Sequence, residues 1–218
     1  MLKNNERLDD LQIDNKFVIQ NKDEYCFTSD AVQLANFVKA KPNDKIVDLC
    51  GGSGVVGILI QTKTGCEDIT EVEIQEYMAD MCRRSVEYNG QQNYIKVVNA
   101  PLQGIHKTLG LGQYSVVVVN PPYKDNGVRS EKESIRIAKH EVMVNLEEII
   151  AEASKLLKFG GRLYIVNREE RLTDICVFCR KYNIEPKILK ILPSSKGDSI
   201  ILVEAKKGGK SGLRIRMG

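Results

Sequence analysis

Residues 45–63, KIVDLCGGSGVVGILIQTK, change character twice. An apolar run ends in an Asp, a cluster of glycines follows, and an apolar-periodic segment begins. Glycines gather where a strand turns tightly into a helix, because only backbone without Cβ can approach a ligand there. The stretch therefore predicts strand, phosphate-style loop and helix, with the helix over residues 54–63. The same alternation repeats downstream. Strands are expected at 68–73 (DITEVE), 94–99 (YIKVVN), 114–120 (YSVVVVN) and 161–167 (GRLYIVN). Helices are expected at 74–89, with Met78, Met81, Cys82 and Val86 on one face, at 146–158 and at 171–183. The run Val116 to Val119 fits a central strand buried on both faces. Two last strands, 187–192 and 199–204, are joined by the short loop PSSKGD, which suits a hairpin rather than a helical crossover. The pattern predicts an α/β, Rossmann-like fold, a mostly parallel sheet with helices on both faces and an antiparallel finish at one edge. Before it, SDAVQLANFVK (29–39) reads as a helix, with Ser29 or Asp30 as its cap. One domain is expected: an N-terminal extension with its helix (1–40), a core (41–205) and a basic tail (206–218).

The chain has 218 residues, 42% hydrophobic and 28% charged, and a formal net charge of +3. That is an ordinary globular composition. Its apolar runs are too short to span a bilayer, and its polar first residues show no signal peptide. Six scattered cysteines are expected as reduced thiols in a cytoplasmic protein. Cys176 and Cys179 form a lone CxxC in an apolar-periodic segment, where core packing is the simpler reading than redox or zinc chemistry. With two distant histidines, His106 and His140, no metal site is expected. Basic residues cluster in two places. Lys124, Arg129, Lys132, Arg136 and Lys139 stand against three acids, and Lys206, Lys207, Lys210, Arg214 and Arg216 follow the last acid, Glu204. Either cluster suits a polyanion, or is simply a solvated loop or tail.

Gly52, Gly54 and Gly57 read as GxGxxG, and Glu73 closes the second core strand, where a carboxylate can accept hydrogen bonds from two ribose hydroxyls. A nucleotide-like cofactor is implied, though this match alone does not say which. Asp48 lies just before the glycines. Its negative charge suits an ammonium or sulfonium centre better than a pyrophosphate, and S-adenosylmethionine carries both cations. A turn-capping role for Asp48 and a surface position for Glu73 are the plainer alternatives.

The strand at 114–120 ends in Asn120, Pro121, Pro122 and Tyr123. An exocyclic amine on a purine is a poor nucleophile, because its lone pair is delocalised into the ring. Two acceptors bonded to its N–H groups favour the pyramidal, electron-rich nitrogen. The Asn120 side-chain carbonyl and the Pro121 backbone carbonyl can be those acceptors, and successive prolines fix φ and remove donors. Tyr123 offers a face on which an extruded base can stack. The plainer reading of PPY is a surface turn or linear ligand; the preceding VVVV makes it a strand-end element.

The order DLCGGSG, VEIQ, NPPY resembles the class I S-adenosylmethionine-dependent amino methyltransferases. More narrowly it resembles the bacterial enzymes that N6-methylate the adenosine beside the anticodon of a valine tRNA. ERLDDLQ (6–12), FTSDAVQLANF (27–37), VEIQEYMADMCRRSVEYN (72–89), AKHE (138–141), REERL (168–172) and KKGGKSG (206–212) carry that likeness. The resemblance implies a seven-stranded sheet with an antiparallel last strand. It implies that Asp48 and the glycines hold the cofactor's methionine end and Glu73 its ribose. Phe27 and Asp30 match positions near the cofactor, with core packing and helix capping as alternatives. Two positions depart from the pattern: Cys50 stands where the loop's first glycine is usual, and Asn99 where an Asp near the adenine is usual. A tRNA partner would be held by the two basic clusters, and a monomer is favoured. The rivals are methylation of a protein glutamine amide and a non-catalytic RNA-binding protein that keeps the pocket.

Overall fold

The computed structural model describes residues 2–24, 26–121, 145–193 and 199–217. Pro122, Tyr123, Lys124, Arg129, Lys132, Arg136 and Lys139 lie outside the described residues.

The chain begins with an antiparallel hairpin, β1 (Glu6–Asp10) and β2 (Phe17–Asn21). Helix α1 (Ser29–Phe37) follows, and its cap is Thr28, whose side chain accepts from the Asp30 N–H. This corrects the expected cap by one position. Extended backbone at Thr28 presents the hydroxyl to the first turn, while Ser29 and Asp30 are already helical. Then come β3 (Lys45–Asp48), α2 (Val55–Thr64), β4 (Asp68–Glu73), α3 (Glu76–Tyr88), β5 (Ile95–Asn99), the single turn α4 (His106–Leu109) and β6 (Tyr114–Val119). The rest is α5 (Leu146–Leu156), β7 (Leu157–Arg168), α6 (Leu172–Lys181), β8 (Ile184–Leu192), β9 (Ile200–Lys207) and β10 (Arg214–Met217).

The main sheet has eight strands in the order β10-β8-β9-β7-β6-β3-β4-β5. All run one way except β9, which is antiparallel to β7 and β8. The α/β class, the parallel core and the antiparallel strand are as expected. The strand count is not: residues 214–217 of the expected tail pair in parallel with β8. LRIRM (213–217) alternates apolar and basic residues with the period of a strand, but so short a run behind a Gly-rich turn does not form a strand alone. Its partner strand supplies the ladder.

β6 is buried along its whole length. Alternation sends Val117 and Val119 to a core shared with α5 and α6, and Val116 and Val118 to one shared with α1 and α2. Met78, Met81, Cys82 and Val86 of α3 are all buried, as the periodicity requires. Cys179 sits in the α6-side core and none of the six cysteines is bridged. Among the described residues no helix is long and apolar enough to cross a membrane.

The hairpin docks on α3. Ile19 N–H donates to Ser85 Oγ at 2.9 Å, and Phe17 exchanges backbone hydrogen bonds with the Asn89 amide. Both guanidinium arms of Arg84 reach the Glu6 carboxylate at 2.7 Å. That pairing holds the Glu6 carboxyl below its ordinary range.

Candidate active site

Four parallel strands end side by side and present Asp48, Glu73, Asn99 and Asn120 at one edge of the sheet. Open α/β sheets bind ligands at this carboxyl edge. The register fixes the neighbours: Asp48 stands opposite Glu71 of β4 and Val118 of β6, and Glu73 opposite Asn99. Leu49 N–H donates to Val118 O at 3.0 Å, so the glycine loop departs directly beside the strand that runs into Asn120. Pro121 is buried behind it.

The loop conformation is dictated by close approach. Gly54 caps α2 with φ of 89°, and a Cβ there would stand 2.6 Å from Cys82 Sγ. Gly57 has an ordinary conformation, yet its Cβ would lie 1.8 Å from Glu71 Oε1. It must be glycine because a buried carboxyl occupies the space.

Asp48 is 1% exposed. Its Oδ1 accepts the Cys50 N–H at 3.2 Å, whereas its Oδ2 is buried without a hydrogen-bond partner among the described residues. Burial, with a contribution from neighbouring Glu73, pushes the Asp48 carboxyl up to about 7. Glu71 is fully buried; the Gly57 N–H lies near its carboxyl and draws it down a little, but neither oxygen makes a hydrogen bond of good geometry among the described residues. Burial first and Asp48 second push it well above the ordinary carboxylate range. Glu73 accepts the Gly52 N–H at 2.9 Å and the Gln75 N–H at 2.8 Å. Burial still raises its carboxyl, against the pull of those N–H groups. Three acids thus crowd the loop. Such a site is complementary to a cationic ligand, and Glu73, with lone pairs to spare, to a hydroxylated one.

Asn99 reaches the same edge, but its amide nitrogen donates to Glu73 O at 2.8 Å and Ile74 O at 3.0 Å. It straps β5 to the turn after β4. Cys50 packs against the α5-side core with its thiol kept neutral by burial, so it acts as a small apolar residue. Phe27 packs against the α1-side core, and Asp30 is buried in the first turn of α1.

Three further residues shape the site: Glu71, Gln20 and Ser53. Glu71 was legible in principle, because TEVE alternates two acids onto one face of a buried strand. Gln20 and Ser53 gave no local signal. Gln20 is fully buried; its Nε2 donates to Ser53 Oγ at 2.6 Å and its Oε1 accepts the Phe27 N–H at 2.8 Å. One amide therefore ties the hairpin to the glycine loop and to the segment before α1.

Of the basic tail, Lys207 is already engaged. Its ammonium donates to the carbonyls of Ser154 and Leu157, the latter at 2.9 Å, at the C-terminus of α5. Lys206, Lys210, Arg214 and Arg216 lie at the β8–β10 side of the sheet. Among the described residues no group of three or more His, Cys, Asp or Glu side chains is placed to hold a metal.

A strand-end acid with an orphan oxygen, a glycine loop, and an Asn-Pro one strand away form one constellation. Residues 30–175, well over half of the chain, match the family model described as the methyltransferase small domain. The chain belongs to that methyltransferase family. It is 26% identical over 170 residues to the tRNA1(Val) (adenine(37)-N6)-methyltransferase of Trichodesmium erythraeum, covering 72% of this chain and 70% of the relative. The Porphyromonas gingivalis protein of the same name is 22% identical over 162 residues, covering 72% of this chain and 64% of the relative. The match thus takes in less than two-thirds of that relative's length. Among solved structures, a protein from Agrobacterium tumefaciens described as a predicted O-methyltransferase aligns with TM-score 0.68 and 24% identity. That alignment covers 86% of this chain and 85% of that one, a likeness of fold. The matched residues leave the β1–β2 hairpin and β8–β10 outside them, so Gln20 reaches Ser53 from outside the matched stretch.

Proposed function

We propose that this methyltransferase transfers the methyl group of S-adenosylmethionine to the N6 amine of an adenosine in tRNA, beside the anticodon. The observation that carries the reading is Asn120-Pro121 at the end of β6, next to the strand that bears Asp48 and the glycine loop. The names of the relatives support tRNA as the acceptor, and with it a cytoplasmic location.

The residues present fit the cofactor. The orphan Oδ2 of Asp48 is an acceptor for an ammonium group, and Glu73 accepts ribose hydroxyls while its other lone pairs hold the loop. When bound, S-adenosylmethionine supplies an electrophilic methyl group on a sulfonium. The chain's work is positioning and electrostatics. The Asn120 carbonyl and the Pro121 carbonyl accept the two N–H groups of the target amine. They localise its lone pair and hold it in line with the methyl group. One amine proton leaves to solvent after transfer, so the reaction needs no general base. Pro122 and Tyr123 complete the motif in sequence, Tyr123 as the stacking face for the base.

The test is a methyl-transfer assay with labelled S-adenosylmethionine. The acceptors are bulk tRNA from cells lacking this protein, genomic DNA and cell protein, with the products identified by mass spectrometry. N6-methyladenosine in tRNA is the expected product. Label in a protein glutamine or in DNA would overturn the acceptor, and no label in any acceptor would overturn the activity.

A further inference from the structure

The incorporation of β10 into the sheet gives the molecule a second charged surface, away from the carboxyl edge of β3–β6. In-register pairing decides which side chains share its face. Arg214 stands opposite Ile188, and Arg216 opposite Lys190. Ile188 and Lys190 in turn stand opposite Glu204 and Leu202 of β9. Leu202 belongs to the core under α1. Lys190, Arg214 and Arg216 therefore lie on the α1 face of the sheet, but on strands beyond β7 and β9, where α1 packs. Ile215 and Met217 point to the opposite face.

A cavity of about 500 Å³ opens on the same side, lined by Arg162, Lys187, Lys206 and Arg214 around Glu204. Glu204 is the one acid in that lining, and Arg162 Nε lies 3.7 Å from it. Lys187 also donates to Lys210 O at 2.9 Å, which fastens the turn between β9 and β10 and keeps Arg214 in place. Six cations thus face two carboxylates, Glu204 and the Glu185 that stands opposite Lys206 and is already engaged by Arg180, which leaves an excess of positive charge. Like charges on neighbouring strands repel, so the array is stabilised by an anion brought from outside. A lone small anion would satisfy the cavity alone. Lys190 and Arg216 extend the row along the strands toward the carboxyl edge, which matches a ligand carrying charges in series. Four strand spacings, roughly 19 Å in all, separate β10 from β6. A nucleic-acid backbone can cross that distance with several phosphates in contact.

We propose that the α1-side face of β8 and β10, with Arg162 and Lys206 at its inner end, holds the sugar–phosphate backbone of the tRNA while the target base reaches Asn120. This rests on the tRNA reading above. It narrows the basic tail to one face and removes Lys207, which serves α5 instead.

The experiment measures tRNA affinity of the full chain by fluorescence anisotropy across a salt series. The variant is Arg214→Glu with Arg216→Glu, both exposed in the wild type. The control is Lys96→Glu, an exposed residue on β5 at the far end of the sheet. The double variant is expected to raise Kd at least tenfold and to reduce the slope of log affinity against log salt by roughly two. Its affinity for S-adenosylmethionine by calorimetry should match wild type, and Lys96→Glu should change tRNA affinity less than threefold. A folded double variant within twofold of wild type would overturn the proposal, as would an equal loss in Lys96→Glu. Loss of binding only to phosphatidylglycerol vesicles, with tRNA affinity intact, would overturn it in favour of a lipid surface. If the double variant does not fold, Lys190→Gln with Arg216→Gln carries the same comparison, with a threefold or greater loss expected. A wild type that methylates tRNA while these variants bind normally would count against this surface alone. A wild type that methylates no tRNA would count against the acceptor.

Discussion

Asn120 follows a strand whose every residue is buried, and the strand beside it carries the glycine loop. Its place at the carboxyl edge therefore follows from where the strand ends rather than from a turn of its own. Asn120→Ala is expected to leave S-adenosylmethionine affinity within about twofold and to lower methyl transfer by about 10²-fold or more, read by calorimetry and a radiometric assay. A parallel loss of cofactor binding would place Asn120 in the cofactor site instead. Asp48 and Glu71 give a pH prediction of definite sign. Both folded carboxyls sit above their unfolded values, so the folded state binds more protons. Stability is fully present below about pH 4 from this source and falls as pH rises, for Asp48 through about 7. Denaturant titrations of the cofactor-free chain from pH 5 to 8 should show that fall. Glu71→Gln keeps the shape and cannot ionise; it should flatten the profile and add about 1–3 kcal/mol at pH 8. An unchanged slope would mean that Glu71 is paired and charged.

At the scale of elements, single polar side chains tie the hairpin to the glycine loop and close the end of α5. Gln20 joins β2 to Ser53 and Phe27. Gln20→Ala leaves those groups unpartnered in a buried place, and a destabilisation of about 1–3 kcal/mol is expected. The more telling readout is the kinetic split. KM for S-adenosylmethionine should rise severalfold with kcat changed less, because the brace positions the loop and touches no reacting atom. A change in kcat alone would argue against it. Lys207 caps α5 by taking the carbonyls of Ser154 and Leu157, next to the Lys155 carbonyl that accepts the Gly112 N–H. Lys207→Ala should cost about 1 kcal/mol by chemical denaturation while leaving the salt dependence of tRNA binding as in wild type. A reduced salt slope would return Lys207 to the RNA surface.

For the molecule as a whole, the proposed seating of S-adenosylmethionine among the three acids at the loop would make the cofactor part of its stability. A ligand that binds only the folded state at a hundred times its Kd adds about 2.7 kcal/mol. S-adenosylmethionine should therefore raise the melting temperature by several degrees. S-adenosylhomocysteine has a neutral sulfur and should protect less if the sulfonium charge is what Asp48 and its neighbours answer. Equal Kd values, and so equal protection at equal concentration, would locate the electrostatic gain at the ammonium group.

The local pattern of the chain determined the α/β class, the parallel core and the antiparallel β9. Apolar periodicity, glycine placement and the hairpin-length PSSKGD loop are properties of neighbouring residues. It also determined the edge where Asp48, Glu73 and Asn120 meet, because strand ends follow from where each apolar run stops. The hairpin, β10 and the bridge through Gln20 were decided by tertiary structure. Their segments are short, and each is held by a partner remote in sequence: Ser85 and Arg84 for the hairpin, β8 for β10, Ser53 for Gln20. Glu71 belongs to both. Its period in TEVE was visible, but the reason it matters, a carboxyl filling the space at Gly57, exists only once α2 packs on β4.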